Sequence, residues 1–162
     1  MKKEIISQYK ASLKMLKDVT ERCPEELWDN KEYKNTYWRI VHHTLFYASF
    51  YLDPAKFSPW EKHKPNYNRL GSTNENNEPI IIEEVYSKSE MLEYLESIYN
   101  KCENSAQTNS LDDKSGIEWL PTNKGEVHLY NIRHIQHHAG QLIERLHHVG
   151  IRGIKWERMV SE

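Results

Sequence analysis

The sequence has few cysteines, no long apolar run and no marked excess of either charge. Its 162 residues include only Cys23 and Cys102, which fit no CxxC spacing, and two reduced thiols are a better interpretation than a disulfide. A net charge of -2 gives no electrostatic bias toward nucleic acid or an anionic membrane. Nothing approaches the roughly 20 apolar residues of a membrane span. Near the N-terminus, Glu4, Gln8 and Lys10 interrupt the apolar region that a signal peptide needs. We therefore expect a cytoplasmic protein with no membrane or nucleic-acid partner.

Familiar glycine motifs are absent as well. The sequence contains no GxGxxG, no GxxxxGK[ST], no GxSxG and no internal repeat, so nothing indicates a dinucleotide site, a P-loop or a serine nucleophile turn. What is present is ordinary for a folded protein: 38% hydrophobic and 28% charged residues, with five Trp and ten Tyr. The length fits a single domain over residues 1–162.

Apolar residues recur at helical spacing in the first third of the chain. The first predicted helix covers residues 3–20 and ends before Pro24, which is either a break or the start of a short helical turn. The second covers about residues 36–52 and is apolar nearly all round, which is typical of a helix buried on most sides. Residues 53–85 then form a long connection, whose aromatic content predicts that it packs over the rest of the protein.

Two further helices are predicted in the second half. Ser87 and Glu90 have the spacing of a capping box, and the apolar stripe behind them lasts to about Glu103, before a polar linker. The fourth helix starts near residues 122–123 and ends at Gly150, a good C-terminal stop. The tail IRGIKWERMV is predicted as a short strand or an extended segment. Four helices without a convincing strand predict an all-α protein, an antiparallel four-helix bundle with one long crossover loop after the second helix.

The stretch HIQHHAGQL, which begins at His134, carries the chemistry. Residues four apart on a helix lie one turn above each other, so His134 and His138 point the same way, into the bundle, and His137 points toward solvent. Two imidazoles at this spacing can hold one transition metal ion. Ile135 stands where the HExxH proteases have their glutamate, which argues against that class. A third ligand has to come from another helix.

The second helix offers two candidates for that ligand in RIVHHTLF. A histidine in an apolar buried helix is costly unless its ring nitrogens are satisfied. Periodicity cannot choose between His42 and His43, because few charges mark the outside of this helix. The remaining histidines have no comparable partner; we expect one in the loop and the other three at surface or boundary positions, namely His63, then His128, His147 and His148.

The segments VHHTLFYASFYL and YNIRHIQHHAGQL resemble the DinB-like superfamily of four-helix bundles, which includes the thiol S-transferases of the bacillithiol and mycothiol systems. The resemblance implies an up-down-down-up bundle that often dimerises. It also implies metal ligands at His43, His134 and His138, with nickel or zinc as the usual ion. Gln141 matches the end of the motif, with no role beyond a hydrogen bond that orients a ligand.

Several functions remain open on the sequence. The resemblance favours a metal-dependent enzyme acting on a small molecule, with thiol S-transfer as the leading chemistry and a low-molecular-weight thiol as co-substrate. A metal-dependent hydrolase is a close variant. A metal- or ligand-binding stress-response bundle without turnover is the second class, and a plain bundle with hydrogen-bonded histidines is the third. We also expect a homodimer formed through the first two predicted helices.

Overall fold

The computed structural model describes residues 1–108 and 110–160. Within those residues the chain forms five α-helices, one 3-10 turn and no β-strand. The all-α class is therefore confirmed. The helices, in chain order, are α1 (Lys2–Arg22), α2 (Glu25–Trp28), α3 (Tyr37–Leu52), α4 (Lys88–Thr108) and α5 (Lys124–His148), and the 3-10 turn covers Pro54–Lys56.

The four long helices pack as a bundle in which α1 and α3 each lie along both α4 and α5. Near the start of α1, the Lys2 ammonium donates to the carbonyl of Gln107, near the end of α4. At the other end of this helix pair, Lys88 at the start of α4 donates to the carbonyl of Cys23, just after α1. The start of α1 therefore lies beside the end of α4, while the complete up-down-down-up order stays a prediction.

Aromatic side chains from α2 and α3 fill one end of the core, and their polar atoms have partners. The indole N–H of Trp38 donates to Asp29 Oδ1 at 2.8 Å, and that of Trp28 donates to the carbonyl of Tyr86 at 2.8 Å. The hydroxyl of Tyr37 donates to the carbonyl of Val19 at 2.9 Å. Buried Tyr and Trp need such partners. These bonds tie α3 to α1 and to the end of α2, and they tie α2 to the loop before α4.

The segment between α3 and α4 covers the bundle, as its aromatic content predicts. Tyr67 and Tyr86 are buried, and both rings lie against Trp38 of α3. The Tyr67 hydroxyl accepts hydrogen bonds from the backbone N–H groups of Glu83 and Glu84. Because these bonds join the middle of the segment to the part just before α4, the loop is fastened both to α3 and to itself.

The third predicted helix was too short. In the structure α4 continues to Thr108, because Cys102 and Ala106 extend its buried face and the Ser105 hydroxyl donates to the carbonyl of Leu52. These contacts outweigh the polar composition that predicted a linker here. Asn109, within the predicted linker, lies outside the described residues.

The C-terminal tail is extended rather than a strand in its described part, and it follows α1. Arg22 donates to the carbonyl of Arg152, and Gln8 donates to that of Arg158. No helix in residues 1–108 and 110–160 combines the length and apolarity that a bilayer crossing requires.

Candidate metal site

The site forms where α3 faces the middle of α5. The α5 helix is capped by Asn123, whose side-chain oxygen accepts the Glu126 N–H at 2.8 Å, and it is followed by Gly150 with φ 83°. Both ends are thus well defined. Between them, His134 and His138 lie one turn apart, with ring centroids 4.7 Å from each other.

His43 of α3 completes the group. The ligand atoms of His43, His134 and His138 all lie within 4.8 Å of one another, and the Nε2 atoms of His43 and His134 are 3.3 Å apart. In the part of the chain that the structure describes, this is the one group of three or more His, Cys, Asp or Glu side chains that could hold a metal ion. The structure brings together the three residues that the sequence and the resemblance indicated.

Hydrogen bonds set which nitrogen is available on two of the rings. His43 Nδ1 lies 2.7 Å from the carbonyl oxygen of Asn68, and His138 Nδ1 lies 2.8 Å from Gln141 Oε1. A carbonyl oxygen can only accept, so each Nδ1 carries the hydrogen and each Nε2 presents a lone pair. Contacts of this kind orient metal-ligating histidines in proteins.

Burial keeps the three imidazoles neutral. It lowers the pKa of His43 to about 4, against the opposing effect of the hydrogen bond to Asn68, and the charge of His138 lowers it further. Burial also lowers the pKa of His134 to about 3, helped by its two histidine neighbours. The pKa of His138 is lowered chiefly by burial as well. All three are therefore in the unprotonated form that metal binding requires.

The geometry fits a transition metal ion. Nitrogen ligands at the usual 2.0–2.1 Å from a tetrahedral ion are about 3.3 Å apart, which matches the separation between the Nε2 atoms of His43 and His134. His134 Nδ1 is buried without a hydrogen-bond partner, so the protein satisfies this ring less fully than the other two. Three neutral imidazoles suit Zn, Ni, Cu or Fe, and three protein ligands leave coordination positions open.

Tyrosines and a cavity surround the histidines. The Tyr47 ring lies 4.9 Å from His43 and 6.0 Å from His134, and its hydroxyl accepts a 3.4 Å hydrogen bond from the Asn68 amide. The Tyr51 ring lies 6.0 Å from His134. A cavity of about 490 Å³ opens beside His134; its lining is Tyr130, Arg133, His134, Gln136 and His137.

His42 is excluded from the site by its own contacts. It is fully buried, its Nδ1 lies 3.2 Å from the carbonyl of Tyr67, and its ring stacks on that of His63 in the loop. His137 is exposed, as its position on the helix predicts. The ring of His43, and not that of His42, therefore faces the histidines of α5.

The expectation for His128 was wrong. This residue is 2% exposed, and its Nδ1 lies 3.0 Å from the hydroxyl of Tyr9 on α1. Its spacing of three and seven residues from Asn131 and Ile135, both buried, places it on an inward face of α5. That spacing was the signal in the sequence, and it was outweighed by the polarity of the side chain.

Sequence reasoning also missed Asn68. Three consecutive loop carbonyls, those of Tyr67, Asn68 and Arg69, accept hydrogen bonds from side chains of α3, and Asn68 contacts both His43 and Tyr47. A backbone carbonyl is present at every position, so no sequence signal could have identified this contact. Gln141, in contrast, makes the hydrogen bond that was suggested for it.

An all-helical bundle with a three-histidine group between two helices is the class of protein that the fold and the site define. The family model of the DinB superfamily matches residues 8–142 of the chain. The match covers most of the sequence, and the chain belongs to the DinB superfamily. No curated protein and no solved structure matches the chain.

Proposed function

We propose that this protein is a metal-dependent enzyme that holds one divalent ion, nickel or zinc, at His43, His134 and His138. The observation that carries the proposal is the convergence of three neutral imidazoles, with a 3.3 Å separation between two of their Nε2 atoms. Three ligands with further positions left open are typical of catalytic sites, whereas structural sites are usually closed by four.

The leading reaction is thiol S-transfer, with a low-molecular-weight thiol as co-substrate. This choice rests on the resemblance to the thiol S-transferases. A bound divalent ion supplies the chemistry of lowering the pKa of a thiol or a water molecule at neutral pH. The protein's part is to hold His43 and His138 in one tautomer, through Asn68 and Gln141. The cavity beside His134 would admit the small-molecule substrate.

A metal-binding bundle without turnover is the second candidate, and it ranks above a metal-dependent hydrolase. The cavity beside His134 has no carboxylate in its lining, so hydrolysis lacks the general base that commonly activates water. Thiol transfer needs that base less, because a thiol loses its proton far more readily than water does. A metal-dependent hydrolase therefore ranks below both.

Metal content of the untagged protein tests the proposal first. We expect about one transition metal ion per chain in the parent, and loss of the ion in His43→Ala, His134→Ala and His138→Ala. His137→Ala is the matched control, because it removes an exposed imidazole next to the site. No ion in the parent after incubation with Ni²⁺ or Zn²⁺ would contradict the proposal and leave the 3.3 Å contact as a hydrogen bond between two rings.

Turnover is tested next on the metal-loaded protein. Low-molecular-weight thiols are incubated with an electrophile, and consumption of the thiol is followed in the parent and in His134→Ala. We expect consumption above the uncatalysed rate in the parent alone. Full metal occupancy without turnover of any thiol would favour the non-catalytic candidate.

A homodimeric, cytoplasmic protein completes the proposal. The dimer rests on the resemblance, and the location on Cys23 and Cys102, which are free thiols, as is usual in a reducing compartment. Light scattering after size exclusion would give the mass in solution, to be compared with 19.4 kDa for one chain. A mass equal to one chain at micromolar concentration would contradict the dimer.

A further inference from the structure

The cavity beside His134 lies along one face of α5. Tyr130, Arg133, His134 and His137 line it, and their spacing of three, four and seven residues places them on one side of the helix. Its volume of about 490 Å³ is in the range of small-molecule sites. A molecule in this cavity would touch one of the three clustered histidines.

The lining of this cavity carries positive charge, from Arg133, and no negative charge. Arg133 is exposed, and among the described residues its side chain has no ion pair and no hydrogen bond. None of the lining residues is acidic. Arg145, twelve residues further along α5, is different: it donates to the carbonyl of Asn35 and lies over the ring of Tyr33. The guanidinium of Arg133 is therefore available to a ligand.

Aromatic rings border the same cavity. Tyr130 lies edge-on to Tyr51 at 5.2 Å, and Tyr51 lies edge-on to His134 at 6.0 Å. Tyr130 and His134 thus form a partly apolar border beside a cation. A guanidinium is a planar fork of N–H donors that matches a carboxylate with two parallel hydrogen bonds. The rings of Tyr130 and His134 suit a planar organic group attached to that carboxylate.

We propose that this cavity binds a small organic anion through Arg133 and places it against His134. In the enzyme, this anion would be a substrate or co-substrate of the three-histidine site, and in that respect the inference rests on the proposed function. Binding of the anion itself uses Arg133 and Tyr130, neither of which belongs to the histidine group.

The test uses the full chain and compares benzoate with benzamide, which has the same shape without the charge. Binding is measured by calorimetry on the zinc-loaded protein and again on the metal-free protein. We expect benzoate to bind roughly tenfold more tightly than benzamide, because a charge-assisted pair is stronger than a neutral one. Phenyl phosphate, measured beside them, shows whether the guanidinium prefers a carboxylate or a phosphate.

Three variants make the assignment specific. Arg133→Gln is expected to abolish the preference for the anion, and Arg133→Lys to retain part of it, since an ammonium keeps the charge without the planar fork. Arg152→Gln is the matched control, because it removes an exposed guanidinium from the tail. The metal content of Arg133→Gln should equal that of the parent.

The two proposals can fail separately. If the chain binds one metal ion but benzoate and benzamide bind alike, or if Arg133→Gln binds benzoate as the parent does, the anion site is wrong and the metal proposal stands. If the chain takes up no metal ion, the proposed function is wrong. An Arg133-dependent preference for benzoate in the metal-free protein would then still establish the anion site, and equal binding there would overturn it.

Discussion

Acidification should destabilise the protein through His128, a residue of α5 whose ring packs against Tyr9 of α1. Burial lowers the pKa of this imidazole to about 4, with smaller contributions from the charges of Lys124 and Lys2. In the unfolded chain the pKa of histidine returns to about 6.5. Below that pH the unfolded chain takes up a proton that the folded protein does not. The free energy of unfolding therefore falls as the pH falls from 6.5 to about 4.

The size of the effect follows from the separation of the two pKa values. Each pH unit in that window lowers the free energy of unfolding by about 1.4 kcal/mol for one histidine. At pH 5.0, about 1.5 units below the unfolded pKa, the loss from His128 is about 2 kcal/mol. His128 is 2% exposed, so solvent screening does not reduce this figure much. It is a sizeable part of the roughly 5–15 kcal/mol that stabilises a typical protein.

The assay compares the parent with His128→Gln, whose uncharged amide can still pair with the hydroxyl of Tyr9. Urea unfolding is followed by the fluorescence of the buried residues Trp28 and Trp38, with a metal chelator present, at pH 7.5 and at pH 5.0. Between these two pH values the parent should lose about 2 kcal/mol more than the variant. His148→Gln, at the exposed end of α5, controls for the loss of a histidine as such.

Equal losses in the parent and in His128→Gln would refute this reasoning. They would mean that the folded protein accepts a proton at position 128 as readily as the unfolded chain does. The slope of unfolding against urea has to stay constant across pH and variants for the comparison to hold, because a change in slope reports a change in the surface exposed on unfolding.

Three further predictions concern the site and the core. Gln141→Leu removes the acceptor for His138 Nδ1 and should raise the Kd for Zn²⁺ by about 10- to 100-fold, measured by competition with a chelating dye. Asn68→Ala keeps the carbonyl that orients His43 but removes the amide that donates to Tyr47; the same assay should show no more than a threefold change, of roughly 0.6 kcal/mol. Leu16→Ala, at a fully buried position, should lower the free energy of unfolding by about 2–5 kcal/mol in urea.

The helices were predictable because their apolar spacing is local. The predicted second helix, residues 36–52, differs from the observed α3 by one residue, and the capping box of Ser87 and Glu90 forms at the start of α4. The spacing of His134 and His138 likewise fixes their common direction without help from the rest of the fold. Where a feature depends on neighbours within one or two turns, the sequence is sufficient.

Prediction failed where a tertiary contact competes with composition. The polar composition at the end of α4 predicts a linker. In the structure, however, the carbonyl of Leu52 provides an acceptor for Ser105, and Ala106 packs into the core. The polarity of His128 predicts a surface or boundary position, but Tyr9 of α1 provides a partner for its buried ring. In both cases a polar group is buried because a distant residue satisfies it, and that residue cannot be identified from local spacing.

His43, the proposed third ligand, depends on both local spacing and tertiary contacts. His42 and His43 are adjacent on a helix that is apolar nearly all round, so amphipathicity does not distinguish them. What separates them is which loop carbonyl each ring meets and where its Nε2 then points: the ring of His42 stacks on His63 under the loop, and that of His43 faces His134. The loop before α4 therefore does more than cover α3. It sets the tautomer of His43 through a backbone atom that tolerates any side chain at position 68, so the metal site should survive most substitutions in this loop but not a change in its length.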